Sequence, residues 1–81
     1  MTPELIGKYV ESKDILDRPV NIFFRQRNSI TGLFIKGNDY EEMKAKNFWR
    51  IVSESKIEEW HKTHNTDLAK LFSGSDFTRL K

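Results

Sequence analysis

Residues between Val20 and Lys36 form two apolar runs separated by a polar stretch, a pattern that predicts a β-hairpin. A two-residue turn at Arg27 and Asn28 would fix which residues lie opposite one another. In that register the pairs on the buried side are Val20 with Ile35, Ile22 with Leu33, and Phe24 with Thr31. Because one side of the hairpin is suited to burial, the pattern predicts a small β-rich domain.

The other side of this hairpin is mixed. Phe23 would cover Gly32, an arrangement in which an aromatic ring packs over a strand glycine. Asn21, Arg25 and Ile30 would surround that ring, so a large apolar group and a cation would share a face turned away from the core. Such a face is a candidate for contact with another molecule.

The remaining elements are predicted from capping, periodicity and turn residues. Five short strands with helical connections predict an α+β fold, namely a strongly bent five-stranded antiparallel sheet or a small barrel with an N-terminal helix and short rim helices. The chain is expected to begin with a helix that starts after Thr2 and ends between Val10 and Leu16, followed by the hairpin. A short helix capped by Asp39 and a strand over Phe48–Val52 come next. A helix that begins with a Ser55–Glu58 capping box and ends near Asn65 then leads to a second hairpin over Leu68–Leu80, which turns at Gly74 and Ser75.

Composition limits the classes of protein that fit. A chain of 81 residues predicts a single domain over residues 1–81, and ten aromatic residues are enough for its core. The net charge of +2 permits an anionic partner without requiring one. The absence of cysteine excludes disulfides, a thiol nucleophile and a thiolate metal site. The start of the sequence does not have the pattern of a secretion signal, and no apolar stretch approaches about 18 residues, so a cytoplasmic protein without a membrane partner is expected.

The first half of the chain resembles a known class of fold. Leu5-Ile6-Gly7-Lys8, followed by Pro19-Val20-x-Ile22-x-Phe24 and Ile30-Thr31-Gly32-x-Phe34-Ile35, is similar to the opening of SH3-like and Sm-like barrels. More loosely, the whole chain resembles short bacterial proteins, chiefly of the Bacteroidetes type, that carry Phe-Trp-Arg-Ile-Val, a helix with Trp and a final Leu-Phe-Ser-Gly-like turn. The resemblance implies a fold and brings no activity with it, because the RNA-binding loop motif of Sm proteins is not matched.

A candidate binding surface combines aromatic rings with positive charge. Such a set could stack bases and contact phosphates, could anchor a protein interface, or could consist of core rings and solvated charges. We expect a non-enzymatic protein-interaction module, with weak single-stranded RNA binding as the alternative and a homo-oligomer that pairs its sheet edges as a third reading. The residues of this surface are Phe23, Arg25, Arg27, Trp49 and Arg50. A smaller second patch would contain Phe72, Phe77, Lys70 and Arg79 if its face is open to solvent; the alternative is that Trp60 covers these rings and makes them part of the core.

The sequence contains two further patterns that resemble a metal site and a dehydrogenase motif. His61, His64 and Asp67 could approach one another near a helix end as a metal set, although exposed histidines are also favoured there by the helix dipole. Tyr9–Lys13 and Tyr40–Lys44 match the Tyr-x-x-x-Lys pair of short-chain dehydrogenases, but the scattered glycines build no phosphate loop. No catalytic residue, metal site or cofactor is therefore predicted.

Overall fold

The computed structural model describes residues 1–12 and 18–81. The strands form one antiparallel sheet in the order β4-β3-β2-β1-β5, so the predicted α+β class and the five-stranded antiparallel sheet are confirmed. The sheet is not closed, because no ladder joins β4 to β5 in the part of the chain that is described. The elements are α1 (Pro3–Val10), β1 (Val20–Phe24), β2 (Ile30–Ile35), α2 (Tyr40–Ala45), β3 (Phe48–Ser53), α3 (Ile57–Thr63), β4 (Ala69–Ser73) and β5 (Phe77–Leu80), with 3-10 turns at Glu54–Lys56, Thr66–Leu68 and Gly74–Asp76.

The start of α1 follows the sequence prediction. Thr2 is the N-cap, and its Oγ1 accepts a hydrogen bond from the backbone nitrogen of Leu5 at 3.2 Å. The helix buries Ile6 and Val10 and ends at Val10. The predicted continuation through residues 15 and 16 lies outside the described residues.

The predicted inward and outward sides of β1 are confirmed, but the predicted pairing with β2 is wrong. Val20 and Ile22 are buried and Asn21 is exposed. Val20 lies opposite Gly32 rather than Ile35, and Ile22 opposite Ile30 rather than Leu33. The loop between the strands is accordingly longer than two residues, and Phe23 does not cover Gly32.

The physical reason for this shift is that β2 is apolar on both sides. The observed register places Leu33 and Ile35 on the face opposite Val20, where Ile57 and Trp60 of the α3 region pack against them. A period-two pattern selects a register only when one side of the strand is polar. Here both sides of β2 are covered, so burial of its apolar residues is satisfied in either arrangement.

The main core lies on the other side of the sheet, and the sheet bends strongly around it. Adjacent strands lie roughly 4.8 Å apart, so β1 and β4 would be roughly 14 Å apart in a flat sheet. The rings of Phe24 in β1 and Phe72 in β4 are nevertheless only 5.9 Å apart between centroids. The buried members of this core are Ile6, Val10, Val20, Ile22, Phe34, Trp49, Ile51 and Phe77.

The predicted second hairpin is wrong. β4 pairs with β3, β5 pairs with β1, and the 3-10 turn at Gly74–Asp76 carries the chain from one edge of the sheet to the other. The strands instead gain partners with larger apolar surfaces. As a result Phe77 is buried in the core and Phe72 is half-buried, so the predicted second patch does not exist as one exposed face.

The predicted capping differs in detail. α3 begins after Lys56 without a side-chain cap, so the capping box predicted from Ser55 is wrong, although the helix is present and ends at Thr63. Asp39 precedes α2 as predicted but makes no capping hydrogen bond. Its backbone, at φ −103° and ψ 21°, is not in the extended conformation of a capping residue, and its carboxylate instead accepts a hydrogen bond from Nη2 of Arg50 at 3.0 Å.

Candidate functional site

The structure places Trp49 in the core rather than on the predicted surface. Its side chain is 2% exposed, and its ring lies edge-on to Phe34 and Tyr40 at centroid distances of 6.3 and 6.0 Å. Its Nε1 donates a hydrogen bond to Oδ1 of Asn47 at 2.8 Å. Trp49 therefore stabilises the fold and offers no ring face to a partner.

Arg50 lies apart from the other predicted residues. It pairs with Ile35, at the end of β2 far from the β1–β2 loop. Its guanidinium forms an ion pair with Asp39 and borders a cleft of about 470 Å³ that Lys36 also lines. Its Nη1 is buried without a hydrogen-bond partner among residues 1–12 and 18–81, so it is not directed at solvent. The charge of Arg50 is thus already balanced within the protein.

Arg27 lies at the β1–β2 loop, close to two aromatic rings. Its Cζ is 5.0 Å from the centroid of Phe24 and 5.8 Å from that of Phe72. A guanidinium at this distance from a ring face is attracted by the ring quadrupole. Phe72 reaches the loop only because the sheet bends, so its part in this cluster could not be found from a hairpin register.

Arg25 and Phe23 complete the cluster on either side of the β1 end. The backbone nitrogen of Arg25 donates to the carbonyl of Asp76 at 3.1 Å, which joins the β1–β2 loop to the Gly74–Asp76 turn. Cζ of Arg79 lies 5.8 Å from the centroid of the half-buried ring of Phe23. We name this set the arginine end: Phe23, Phe24, Arg25, Arg27, Phe72 and Arg79.

A cleft of about 340 Å³ opens at the arginine end, lined by Phe24, Arg25, Gln26, Arg27 and Asp76. Asp76 is the one acidic residue of that lining. None of the ion pairs found among residues 1–12 and 18–81 involves a guanidinium of the arginine end. The cleft therefore combines two arginines and the side chain of Phe24 with a single carboxylate, a combination that suits an anionic ligand.

A larger groove of about 530 Å³ between α1 and α2 is lined by three glutamates and two lysines. Glu11 accepts hydrogen bonds at 2.7 Å from both Lys44 and Tyr40. The hydrogen bond from Lys44 is the largest cause that holds the pKa of Glu11 below its ordinary value, and the hydrogen bond from Tyr40 is the second. Burial, followed by the bond to Glu11, raises the pKa of Tyr40. The groove is best explained as a polar contact that joins the two helices.

The predicted histidine set does not form a metal site. No group of three potential metal ligands comes together within the described parts of the chain. His64 follows α3 in the left-handed conformation, at φ 51°, and its ring contacts Trp60 at a centroid distance of 5.1 Å. No helix in the described ranges has the length and apolar character needed to cross a bilayer.

Comparison with known proteins finds no matching family model, no matching curated protein and no matching solved structure. The class of protein that the observations define is therefore a small α+β domain with a bent, open antiparallel sheet and a cationic aromatic end.

Proposed function

We propose that this chain is a non-enzymatic binding module of the SH3-like or Sm-like barrel type. The resemblance of Thr2–Gly37 to such barrels supports this assignment, as does the strong bend that brings Phe24 against Phe72. A bent five-stranded sheet of this size keeps its core filled with side chains. Ligands of such a domain would therefore bind at its loops and edges rather than inside it.

We further propose that the arginine end binds an acidic segment of a partner protein. The observation that carries this proposal is the position of Arg27 over the rings of Phe24 and Phe72. A guanidinium held over aromatic rings loses less freedom when it binds than one free in solvent, and it can donate two parallel hydrogen bonds to a carboxylate. Arg25 lines the same cleft as Arg27 and would add charge beside it.

The geometry favours a carboxylate over a nucleic-acid base. Phe24 packs edge-on against Phe77 at 5.4 Å and also contacts Phe72, so its ring is engaged within the protein. Phe23 has Arg79 near its ring. Single-stranded nucleic acid usually requires rings with an open face, although a base can also stack on a guanidinium plane. Single-stranded RNA is accordingly the alternative ligand.

The test is an amide-resolved NMR titration of the labelled protein with a glutamate-rich peptide and, separately, with oligouridine. We expect the peptide to shift the amides of Arg25, Arg27, Phe72 and Asp76, with an effect that weakens at high salt. A double variant, Arg25→Ala with Arg27→Ala, should abolish these shifts. Arg27→Lys should weaken them, because lysine keeps the charge but not the planar pair of donors.

The matched control is Lys46→Ala with Lys62→Ala, which removes the same charge from exposed side chains on α2 and α3. If both double variants weakened peptide binding equally, attraction by net charge would explain the result and the proposed site would be wrong. If oligouridine alone shifted the amides of the arginine end, the RNA alternative would replace the protein partner. An unshifted spectrum with both ligands would contradict the proposed function.

A further inference from the structure

β4 is an edge strand whose outward backbone groups can be identified. The nitrogen of Gly74 donates to the carbonyl of Asn47 at 2.8 Å, and this pair lies in register with the rest of the β3–β4 ladder. Hydrogen-bonded and non-hydrogen-bonded pairs alternate along an antiparallel ladder. The N–H and C=O groups of Ala69, Leu71 and Ser73 therefore point away from β3, at an edge where no further strand is paired in the described ranges. The N–H of Ala69 already donates to the carbonyl of Thr66, and the carbonyl of Ser73 accepts the first bond of the Gly74–Asp76 turn that this residue caps. Both backbone groups of Leu71, the carbonyl of Ala69 and the N–H of Ser73 are left for another strand.

Exposed apolar side chains lie beside these groups. Leu71 is 51% exposed and Phe48 is 39% exposed. Leu71 lies opposite Arg50 and Phe48 lies opposite Ser73, so Leu71 and Phe48 are diagonal neighbours on one face of the sheet. Unpaired backbone groups beside exposed apolar residues form a template for the addition of another strand.

We propose that β4 pairs with β4 of a second copy of this chain, antiparallel and centred on Leu71. In that register Leu71 lies opposite Leu71 of the second copy, and Ala69 lies opposite Ser73, with about four backbone hydrogen bonds formed across the two-fold axis. The two Leu71 side chains and the flanking Phe48 side chains would form one continuous apolar strip across the axis. This interface does not depend on the proposed function of the arginine end.

The charges on the edge strands favour pairing of β4 with β4 of a second copy over pairing of β4 with β5 of a second copy. Lys70 is the charged residue of β4, and in the self-paired arrangement it lies opposite Phe72 rather than opposite another lysine. A β4–β5 contact would instead bring Lys70 towards a strand that carries Arg79 and is followed by Lys81. Like charges on paired strands are destabilising. A closed dimer is therefore preferred to a ring or filament.

The expected dimer is weak. A strand of five residues is about 17 Å long. Such a contact buries less than the roughly 1,200–2,000 Å² of a stable interface. The dimer should therefore dissociate on dilution.

The test is the molar mass by sedimentation velocity over a series of protein concentrations. We expect the wild-type mass to rise towards twice the monomer mass. Leu71→Glu and Leu71→Lys should each remain monomeric, because identical charges would face one another across the axis. An equal mixture of these two variants should dimerise again, since self-pairing is the arrangement that places position 71 opposite itself. The control Leu5→Glu changes another exposed apolar residue, which lies on α1, and should dimerise like the wild type.

Three results would overturn the proposal: a wild-type mass that stays at the monomer value, a mass that rises beyond the dimer, or a charge-reversed mixture that does not associate. Circular dichroism of each variant establishes that it is folded. Because residue 71 is exposed at an edge, its substitution should leave the fold intact.

Discussion

Replacing Asn47 by alanine would perturb two features that meet at one residue. Its backbone has a positive φ of 62°, a conformation that side chains other than asparagine and aspartate rarely adopt. Its Oδ1 accepts from Nε1 of Trp49 at 2.8 Å, and its Nδ2 donates to the carbonyl of Met1 at 3.0 Å. The substitution removes both side-chain hydrogen bonds and leaves the indole N–H without this acceptor.

The magnitude follows from these two losses. A buried donor left without its partner costs about 1–3 kcal/mol. The left-handed conformation costs alanine about 1–2 kcal/mol and costs glycine almost nothing. We therefore expect Asn47→Ala to lower the free energy of unfolding by about 2–5 kcal/mol and Asn47→Gly by about 1–3 kcal/mol. The glycine variant should be the more stable of the two.

The assay is urea unfolding followed by far-ultraviolet circular dichroism, which does not depend on the tryptophan that the substitution affects. Trp49→Phe, introduced into wild type and into each variant, removes the indole donor and measures the energy of its hydrogen bond through a double-mutant cycle. The reasoning would be refuted by an alanine variant as stable as wild type or by a glycine variant less stable than the alanine variant. A coupling energy of zero would show that the hydrogen bond contributes nothing.

Two further predictions concern the sheet and the helix contact. Gly32→Ala should destabilise the fold by about 1–3 kcal/mol in the same assay, because the added methyl group would collide with the buried side chain of Ile51. The control Gly37→Ala, whose added methyl group would have its nearest contact at 3.2 Å, should stay within about 0.5 kcal/mol of wild type. Equal effects of the two substitutions would contradict the packing argument. The pKa of Glu11 is lowered in the folded state, so its contribution to stability should be present above the ordinary glutamate value of about 4.3 and be lost as the pH falls through the lower folded value. Unfolding measured as a function of pH should therefore show a weaker acid dependence in Glu11→Gln than in wild type, and an unchanged dependence would show that these bonds are not maintained in solution.

The sequence predicts the elements of this fold better than their pairing. Local chemistry is sufficient for Thr2 to cap α1 and for alternating burial along β1, and both are confirmed. The position of β2 relative to β1 depends on whether α3 covers the second face of the sheet, which no local pattern reveals. Burial of Leu33 and Ile35 by Ile57 and Trp60 is a tertiary effect, and it changes the register.

The same limit applies to the candidate site. Arg27 follows directly from the turn that the hairpin predicts, and Arg25 from the outward face of the same hairpin. Phe72 joins them from a strand far away in the sequence, because the sheet bends and β4 pairs with β3 rather than with β5. The frequency of aromatic residues in interfaces predicts a surface position for Trp49, yet its ring packs against Phe34 and its N–H group is hydrogen-bonded inside the protein.

The Gly74–Asp76 turn explains how the core positions the arginine end. A side chain at Gly74 would collide with Asn47 and would lie 2.5 Å from Cδ1 of Ile6, so the turn fits closely against the core at that point. At its other end, the carbonyl of Asp76 accepts the hydrogen bond from the nitrogen of Arg25. Contacts with the core fix one end of the turn, and that hydrogen bond ties the other end to the loop. The guanidinium groups of Arg25 and Arg27 are thus presented by a loop whose backbone is anchored to the core through this turn.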